Sequence, residues 1–326
     1  MSLLLFRTNH PIYLILLPIF AMIFWGPAFF MTPEEMSPLT DGMIHMGFEN
    51  RTAGLICGWL VSILSAMLLN QVVNEREFFR PGSYLPGLMF VLLMVTTTNA
   101  LIFSSLHIAH LFTILALRRC MSIYGKQKYQ QEAFDAGFFI GIAALFNYYH
   151  VLLIVALLLC LLLIVRINLR VVLVSVYGVV TPWLFILTLF YVIGYQPFTG
   201  ELNLNLKPHI PTFTFDRKGW WFIAIFGLVV LSSLFHYLYS FQRSTLKMKA
   251  EKRVVMIFLI IQTLSLAFSG LYSNGLFLLP FIAVPLSIFL SFYFFNSYIK
   301  WVADLTFLAW LGIVGYNFYA FIFLAN

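Results

Sequence analysis

The sequence predicts an all-α fold: a polytopic transmembrane helical bundle of about 11 spans that forms a single domain over residues 1–326. Two observations lead to this prediction. Long apolar runs recur along the whole chain, and positive charges gather in alternate loops between them. Of the 326 residues, 62% are hydrophobic and 10% are charged, whereas a soluble domain has about 25% charged residues. The composition therefore excludes a soluble domain of this size.

Each predicted span is an apolar segment near the length that a membrane crossing requires. A helix needs about 20 apolar residues to cross the hydrocarbon core. In chain order, the segments near this length are 12–30, 53–73, 84–102, 104–118, 133–148, 150–166, 171–194, 219–241, 254–273, 276–295 and 301–324. The fourth and fifth are short. They either cross the bilayer fully or form a helical hairpin that does not fully span it.

The positive charges orient these segments. With the N-terminus inside, 15 of the 19 Lys and Arg residues fall in inner loops, and such residues are retained on the cytoplasmic side of a membrane. We therefore predict a bacterial inner-membrane protein with a cytoplasmic N-terminus and a periplasmic C-terminus. Because the net charge of +7 sits in short loops between apolar runs, the expected partner is the lipid bilayer and not nucleic acid.

Two outer loops are long enough to hold structure. In residues 31–52, Thr32 and Glu35 can form a capping box, and apolar residues then alternate with polar ones. This pattern predicts a surface helix on the outer face of the membrane. In residues 195–218, two short stretches alternate between apolar and polar residues. This loop is predicted either as a two-stranded ribbon or as an irregular lid loop.

The first outer loop contains the candidate catalytic residues. Asp41, His45 and Glu49 are spaced four and four, so a helix would place all three on one face. A row of two carboxylates and an imidazole suits general acid–base chemistry or a divalent cation. The alternative is that a surface helix simply exposes its polar face to water. The sequence has no phosphate-binding Gly-rich loop and no HExxH pair, so it identifies no cofactor and predicts no metal site.

The candidate substrate-binding residues are cations and histidines on the same outer side. Arg217 and Lys218 could hold a phosphate, or they could anchor the eighth segment at the membrane interface. His107 and His110 face nearly the same way at the start of the fourth segment, and His150 follows a polar break. Because polar residues inside a membrane are costly, these histidines are predicted to line one outward-facing cavity with Asp41.

The N-terminal half contains LRR at 117–119, AGFFIGIAALF at 136–146, RINLR at 166–170 and Pro182. Through these motifs it resembles the GT-C class of membrane glycosyltransferases. The resemblance implies surface helices in the first outer loop and a catalytic acid at Asp41. The chain departs from that class because residues 103–106 contain no second acid. Over most of its length it is also similar to an uncharacterised inner-membrane family of Bacteroidota, through NHPIYLILLP, SAMLLNQVVNEREFFRPGSYLPGLMFVLLM and EAFDAGFFIGIAALF.

Three functions are compatible with these patterns. The leading hypothesis is a protein that handles a lipid-linked, polyprenyl-phosphate glycan at the outer leaflet. As an enzyme it would be a GT-C-like glycosyltransferase, with Asp41 as base or metal ligand and Arg217 or Lys218 on the phosphate. The alternative is a non-catalytic subunit of an inner-membrane secretion, translocation or envelope-biogenesis complex, whose partners are other inner-membrane proteins. A transporter would have paired broken helices in two halves, and no internal repeat is visible.

Overall fold

The computed structural model describes residues 12–30, 43–44, 48, 50–79, 82–97, 100–165, 168–194, 217–272, 279–297 and 300–324. Within these ranges the chain forms eleven α-helices and no strand. The helices are α1 (Ile12–Trp25), α2 (Arg51–Glu75), α3 (Leu85–Val95), α4 (Ser105–Met121), α5 (Gln130–Phe146), α6 (Leu153–Ile164), α7 (Leu169–Ile193), α8 (Arg217–Gln242), α9 (Leu246–Tyr272), α10 (Ala283–Asn296) and α11 (Lys300–Leu324). Each predicted apolar segment overlaps one of these helices, so the prediction of an all-α fold is confirmed.

The helices differ in how far they could extend through a membrane. Within the described part of the chain, three helical stretches are long and apolar enough to cross a membrane by themselves: α2, α7 and Leu279–Asn296, in which a 3₁₀ turn leads into α10. The third helix, α3, has only 11 residues and extends about 16 Å. It is shorter than the predicted segment 84–102 and ends at Val95. The hydroxyl of the next residue, Thr96, donates a hydrogen bond to the Leu92 carbonyl.

The outer surface of the bundle is apolar, whereas polar side chains lie inside it. On α2, the exposed face carries Ile56, Leu60 and Leu64, which are 46%, 51% and 56% exposed. Elsewhere on α2, Ser62 and Asn70 are buried. A helix in water would have the reverse arrangement. The distribution on α2 is that of a helix with lipid on one side and protein on the other.

The centre of the fold is formed by α3 and α10. Every residue of α3 is buried, and so are residues 283–294 of α10, which packs against α3. The start of α3 is held by α2, because the Asn70 Oδ1 atom accepts a hydrogen bond from the Gly87 amide at 2.7 Å. This polar side chain is therefore buried on α2 for a structural reason: it binds an amide that the first turn of α3 leaves without an intrahelical partner.

The closest helix crossing joins α5 to α7 through glycines. A Cβ atom added at Gly137 would lie 2.3 Å from the Ser175 carbonyl oxygen, and one added at Gly141 would lie 2.4 Å from the Val179 carbonyl oxygen. The reverse contact comes from Gly178 on α7, which faces the backbone of α5. Small residues four apart let helix backbones approach closely inside a membrane. This crossing fixes the C-terminal end of α5, which leads directly into the candidate site.

Helix α4 connects two polar regions at opposite ends of the bundle. Its first turns carry His107 and His110, and its last turn carries Arg118 and Arg119. At about 1.5 Å per residue, the two ends of this 17-residue helix are about 25 Å apart. The histidine end is the candidate site.

Candidate functional site

The structure brings together the three predicted histidines, whereas the side chains of the other predicted site residues lie outside its described part. His107 and His110 are on α4, and His150 is in the 3₁₀ turn Tyr148–Leu152 that precedes α6. The rings of His110 and His150 are edge to face, with centroids 6.2 Å apart. All three histidines are buried, and none is more than 3% exposed. We call His107, His110 and His150, together with Asn147, the histidine cluster.

The remaining predicted residues are placed as follows. Asp41, His45 and Glu49 lie outside the described residues. Arg217 and Lys218 are the first two residues of α8, where the backbone alone is described. Of the loop 195–218, residues 195–216 lie outside the described residues. The roles of these residues, and the ribbon or lid loop, therefore stay predictions.

His107 is held by the residue that precedes α4. Its Nδ1 atom accepts a hydrogen bond from the Ser104 amide at 3.2 Å, and the Ser104 hydroxyl lies 3.3 Å from the same nitrogen. Because Nδ1 accepts the amide proton, the neutral ring must carry its own proton on Nε2. The capping geometry of α4 therefore makes the Nε2 atom of His107 a hydrogen-bond donor.

His150 is held in the opposite tautomer by Asn147. The Oδ1 atom of Asn147 accepts from the Tyr149 amide at 3.2 Å, which identifies it as the oxygen of the carboxamide. The same oxygen lies 3.1 Å from the Nδ1 atom of His150. An oxygen of this kind can only accept, so Nδ1 of His150 must donate. The neutral ring then has a lone pair on Nε2.

His110 lies between the other two histidines, and neither of its ring nitrogens has a hydrogen-bond partner among the described residues. The Pro280 carbonyl faces the His110 ring, but this contact does not meet the distance and angle of a hydrogen bond. Three more atoms of the cluster are buried with no hydrogen-bond partner among the described residues: Nε2 of His107, Nε2 of His150 and Nδ2 of Asn147. A buried polar atom without a partner costs about 1–3 kcal/mol, so this concentration of them marks a place where a ligand would be stabilising.

The walls around the cluster are aromatic and apolar. The ring of Phe90, on the central helix α3, meets His110 edge to face at a centroid distance of 5.5 Å, and Phe103 stacks on His107 at 5.8 Å. Tyr149 packs against Phe281 and the buried Leu106 on the other side. Hydrogen bonds are stronger in such low-dielectric surroundings than in water. The cluster therefore combines polar atoms that could bind a ligand with walls that exclude solvent.

The segment that is predicted as the first outer loop reaches the histidine cluster through Ile44. The Ile44 amide donates to the Leu145 carbonyl at 3.1 Å, and the Ser105 hydroxyl donates to the Ile44 carbonyl at 2.9 Å. Leu145 is two residues before Asn147, and Ser105 is two residues before His107. These two hydrogen bonds fix the residue that precedes His45 beside both polypeptide segments that carry the histidines.

The tautomers of the cluster do not favour a metal ion. A metal ligand must present a lone pair, and at Nε2 of His107 the neutral ring presents a proton. Among the described residues, no group of three His, Cys, Asp or Glu side chains is arranged to hold a metal ion.

The opposite end of α4 contains a charged cluster, whose residues lie in or beside the predicted inner loops. Arg76 donates to Glu251 at 3.3 Å, to the Arg118 carbonyl at 3.3 Å and to the Ser122 hydroxyl at 2.7 Å. Glu251 is 1% exposed. Arg76 and Glu251 are 175 residues apart in the sequence, so no local pattern could have shown that they pair. A carboxylate beside an apolar run was the one available signal.

The fold and the histidine cluster together define a class: an all-α protein whose described part has three membrane-capable helical stretches and a buried, incompletely hydrogen-bonded histidine site. The chain belongs to the family of unknown function DUF6427, whose model matches residues 42–324. No curated protein and no solved structure shows significant similarity to this chain. The predicted membership of an uncharacterised family is thus confirmed, and the resemblance to the GT-C class and the Bacteroidota lineage stay predictions.

Proposed function

We propose that this protein is a polytopic inner-membrane protein that binds the head of a lipid-linked, polyprenyl-phosphate glycan at the outer leaflet. The observation that carries the proposal is that Ile44 forms hydrogen bonds with both polypeptide segments that carry the histidine cluster. Since His45 follows Ile44 and Asp41 precedes it by three residues, this attachment supports one shared site for the first outer loop and the histidines. Such a site would present acids, imidazoles and an amide to a polar head group.

The proposed topology has about 11 spans, a cytoplasmic N-terminus and a periplasmic C-terminus. Two groups of contacts support it. Arg76, Arg118 and Glu251 all belong to predicted inner loops or their edges, and they meet at one end of the bundle. Ile44 and Ser105 belong to predicted outer loops, and they meet at the other end of α4. The short helices α4 and α5 have 17 residues each, about 25 Å, which approaches the thickness of the hydrocarbon core.

As an enzyme, the protein would be a GT-C-like glycosyltransferase. Asp41 would act as base or metal ligand in the first loop, with His45 and Glu49 on the same helix face. Arg217 or Lys218 would hold the phosphate at the start of α8, where the free amides of a helix N-terminus also favour an anion. In this arrangement the histidine cluster would receive the sugar hydroxyls.

Native mass spectrometry of the protein extracted gently from its own membrane tests the proposal. The wild type should retain a prenyl-phosphate glycolipid, and the variants His110→Leu and Asp41→Ala should lose it. The matched control is His236→Leu, which replaces a histidine on α8 whose Nδ1 atom is already bound to the Ser232 carbonyl. This control should retain the lipid.

The same measurement tests the alternative function, a non-catalytic subunit of an inner-membrane complex. Stoichiometric protein partners with no bound prenyl lipid would reject the substrate-binding proposal in favour of a subunit role. A bound glycolipid that survives all three substitutions would place the lipid elsewhere on the protein, and would reject the histidine cluster as its site.

A further inference from the structure

We propose that His150 is the proton acceptor of the histidine cluster, that Asn147 positions it, and that the ligand group bound there is a hydroxyl. This inference deepens the proposed function and rests on it in one respect: the cluster is taken as the part of the protein that meets the substrate. It assigns the role of base to His150 in place of Asp41, for which the role of metal ligand is left.

The position of His150 meets the requirements of a general base. A base must present a lone pair to the reacting group, and a third group must hold its ring in the correct tautomer. Asn147 supplies this third group, because its Oδ1 atom is already fixed by the Tyr149 amide and accepts from the Nδ1 atom of His150. The Nε2 lone pair is left buried, with no partner in the described part of the chain.

The other polar atoms of the cluster select the ligand group. His107 offers a proton on its Nε2 atom, whereas His150 offers a lone pair on its Nε2 atom. A hydroxyl satisfies both kinds of group at once because it donates one hydrogen bond and accepts two. A fully ionised phosphate can only accept, so its oxygens would face the lone pair of His150 unfavourably. The ligand class is therefore an alcohol, such as a sugar or prenyl hydroxyl.

In a glycosyl transfer, the proton moves from this hydroxyl to the Nε2 atom of His150. The hydroxyl oxygen forms the new bond to the anomeric carbon of the glycan. The bond from that carbon to the phosphate oxygen breaks, and its electron pair leaves with the prenyl phosphate. The ring of His110 lies edge to face with the resulting imidazolium, with ring centroids 6.2 Å apart.

Nitrogen NMR of ¹⁵N-histidine-labelled full-length protein in nanodiscs tests the assignment without any substrate. At neutral pH, His107 should carry its proton on Nε2 and His150 on Nδ1. His236 provides an internal reference for the second tautomer, since its Nδ1 atom must donate to the Ser232 carbonyl at 2.8 Å. Resonances are assigned by replacing each histidine with Gln in turn.

Asn147→Leu should release His150 from the Nδ1-protonated tautomer and leave His107 unchanged. The matched control is Asn168→Leu. Asn168 caps α7 in the same way, with its Oδ1 atom accepting from the Arg170 amide at 3.2 Å, and no histidine takes part in that cap. If His150 is protonated on Nε2 in the wild type, or if Asn147→Leu leaves its tautomer unchanged, the positioning role of Asn147 is rejected.

Two prenyl probes then distinguish the ligand classes. Farnesol carries a hydroxyl and farnesyl phosphate carries a phosphate on the same chain. Farnesol should shift the Nε2 resonance of His150 in the wild type and not in Asn147→Leu. A response to farnesyl phosphate alone, or to neither probe, overturns the hydroxyl assignment. These outcomes are independent of the lipid found by mass spectrometry, so the proton-acceptor role can fail while the proposed function stands.

Discussion

At the scale of single residues, Lys252 is unusual because it is a buried cation held by hydroxyl groups. It is 1% exposed, and its Nζ atom donates to Ser240 Oγ at 2.8 Å and to Ser244 Oγ at 2.6 Å. The ring of Phe292 lies below it, 5.1 Å from Nζ to the ring centre. Burial lowers the pKa of Lys252 to about 8, because a low-dielectric site disfavours the charged form. Lys252 therefore links α9 to Ser240 on α8, and the free-energy cost of burying its charge depends on pH.

Stability should rise with pH above neutrality through Lys252. The pKa of Lys252 is about 8 in the folded protein and about 10.4 in the unfolded chain. Between these two values the unfolded chain binds more protons than the folded protein. The free energy of unfolding therefore increases as the pH rises. Thermal unfolding in detergent should give a Tm several degrees higher at pH 9.5 than at pH 7.5. Lys252→Met should be more stable than the wild type at pH 7.5 and should lose most of this increase. An unchanged pH dependence in Lys252→Met would reject this explanation.

The pair of Arg76 and Glu251 should show the cost of an unpaired buried charge. Arg76→Gln leaves Glu251 buried without its cation, which typically costs about 3–5 kcal/mol. Glu251→Gln should cost less, because burial already raises the pKa of Glu251 and the amide can still accept a hydrogen bond. The control is Arg118→Gln. This substitution breaks the ion pair between Arg118 and Glu75, whose side chains are 38% and 36% exposed. It should lower the free energy of unfolding by about 1 kcal/mol or less. The free energies of unfolding of these three variants and of the double variant Arg76→Gln/Glu251→Gln give the coupling energy between Arg76 and Glu251.

At the scale of elements, the crossing of α5 and α7 should tolerate no side chain larger than hydrogen. In Gly141→Ala the added Cβ atom would lie 2.4 Å from the Val179 carbonyl oxygen and 2.7 Å from Pro182 Cγ. The helices would have to separate, at a cost of about 1–3 kcal/mol. The control is Gly227→Ala in α8, where nothing lies within 4 Å of the added atom. There Ala should stabilise by about 0.5–1 kcal/mol. A similar Tm change in both variants would reject close packing as the reason for Gly141.

The elements themselves could be predicted because apolar runs and loop charges are local properties of the sequence. All eleven segments overlap a helix. Two helix ends could not be predicted from apolar length alone. The helix in segment 84–102 ends at Val95, before a run of threonines. The segment 150–166 begins with a 3₁₀ turn because the side chain of Asn147 accepts a hydrogen bond from the Tyr149 amide. In the second place a capping hydrogen bond, and not hydrophobicity, sets where the helix begins.

The candidate site could be predicted only in part. The sequence indicated that His107, His110 and His150 would lie together, since each is a polar residue in an apolar segment predicted to open on the outer side. It could not indicate which ring nitrogens remain free. That depends on Ser104 and Asn147, two residues whose sequence positions suggest no more than helix caps. The attachment of Ile44 joins residues 61 and 101 positions apart in the chain, a distance at which single-sequence patterns carry no information.

At the scale of the whole molecule, the fold separates two kinds of polar chemistry along α4. Neutral rings and amides lie at its start, and ion pairs lie at its end. Apolar side chains cover the outside of the bundle between these ends, as on α7, where Leu173, Leu184 and Phe185 are 48%, 59% and 70% exposed. An apolar belt between two polar ends is the arrangement that a bilayer requires. The proposed topology follows if the charged end faces the cytoplasm.

Labelling with a membrane-impermeant maleimide in intact cells should show which end faces outward. In a background without Cys57, Cys120 and Cys160, the variants Lys128→Cys and Lys247→Cys place exposed thiols in predicted inner loops. They should react only after the cells are permeabilised. Leu202→Cys, in the predicted outer loop 195–218, should react in intact cells. Because the retention of Lys and Arg on the cytoplasmic side sets this orientation, reaction of Lys128→Cys or Lys247→Cys in intact cells would invert the topology. The histidine cluster would then face the cytoplasm, where it could not act on a glycan at the outer leaflet.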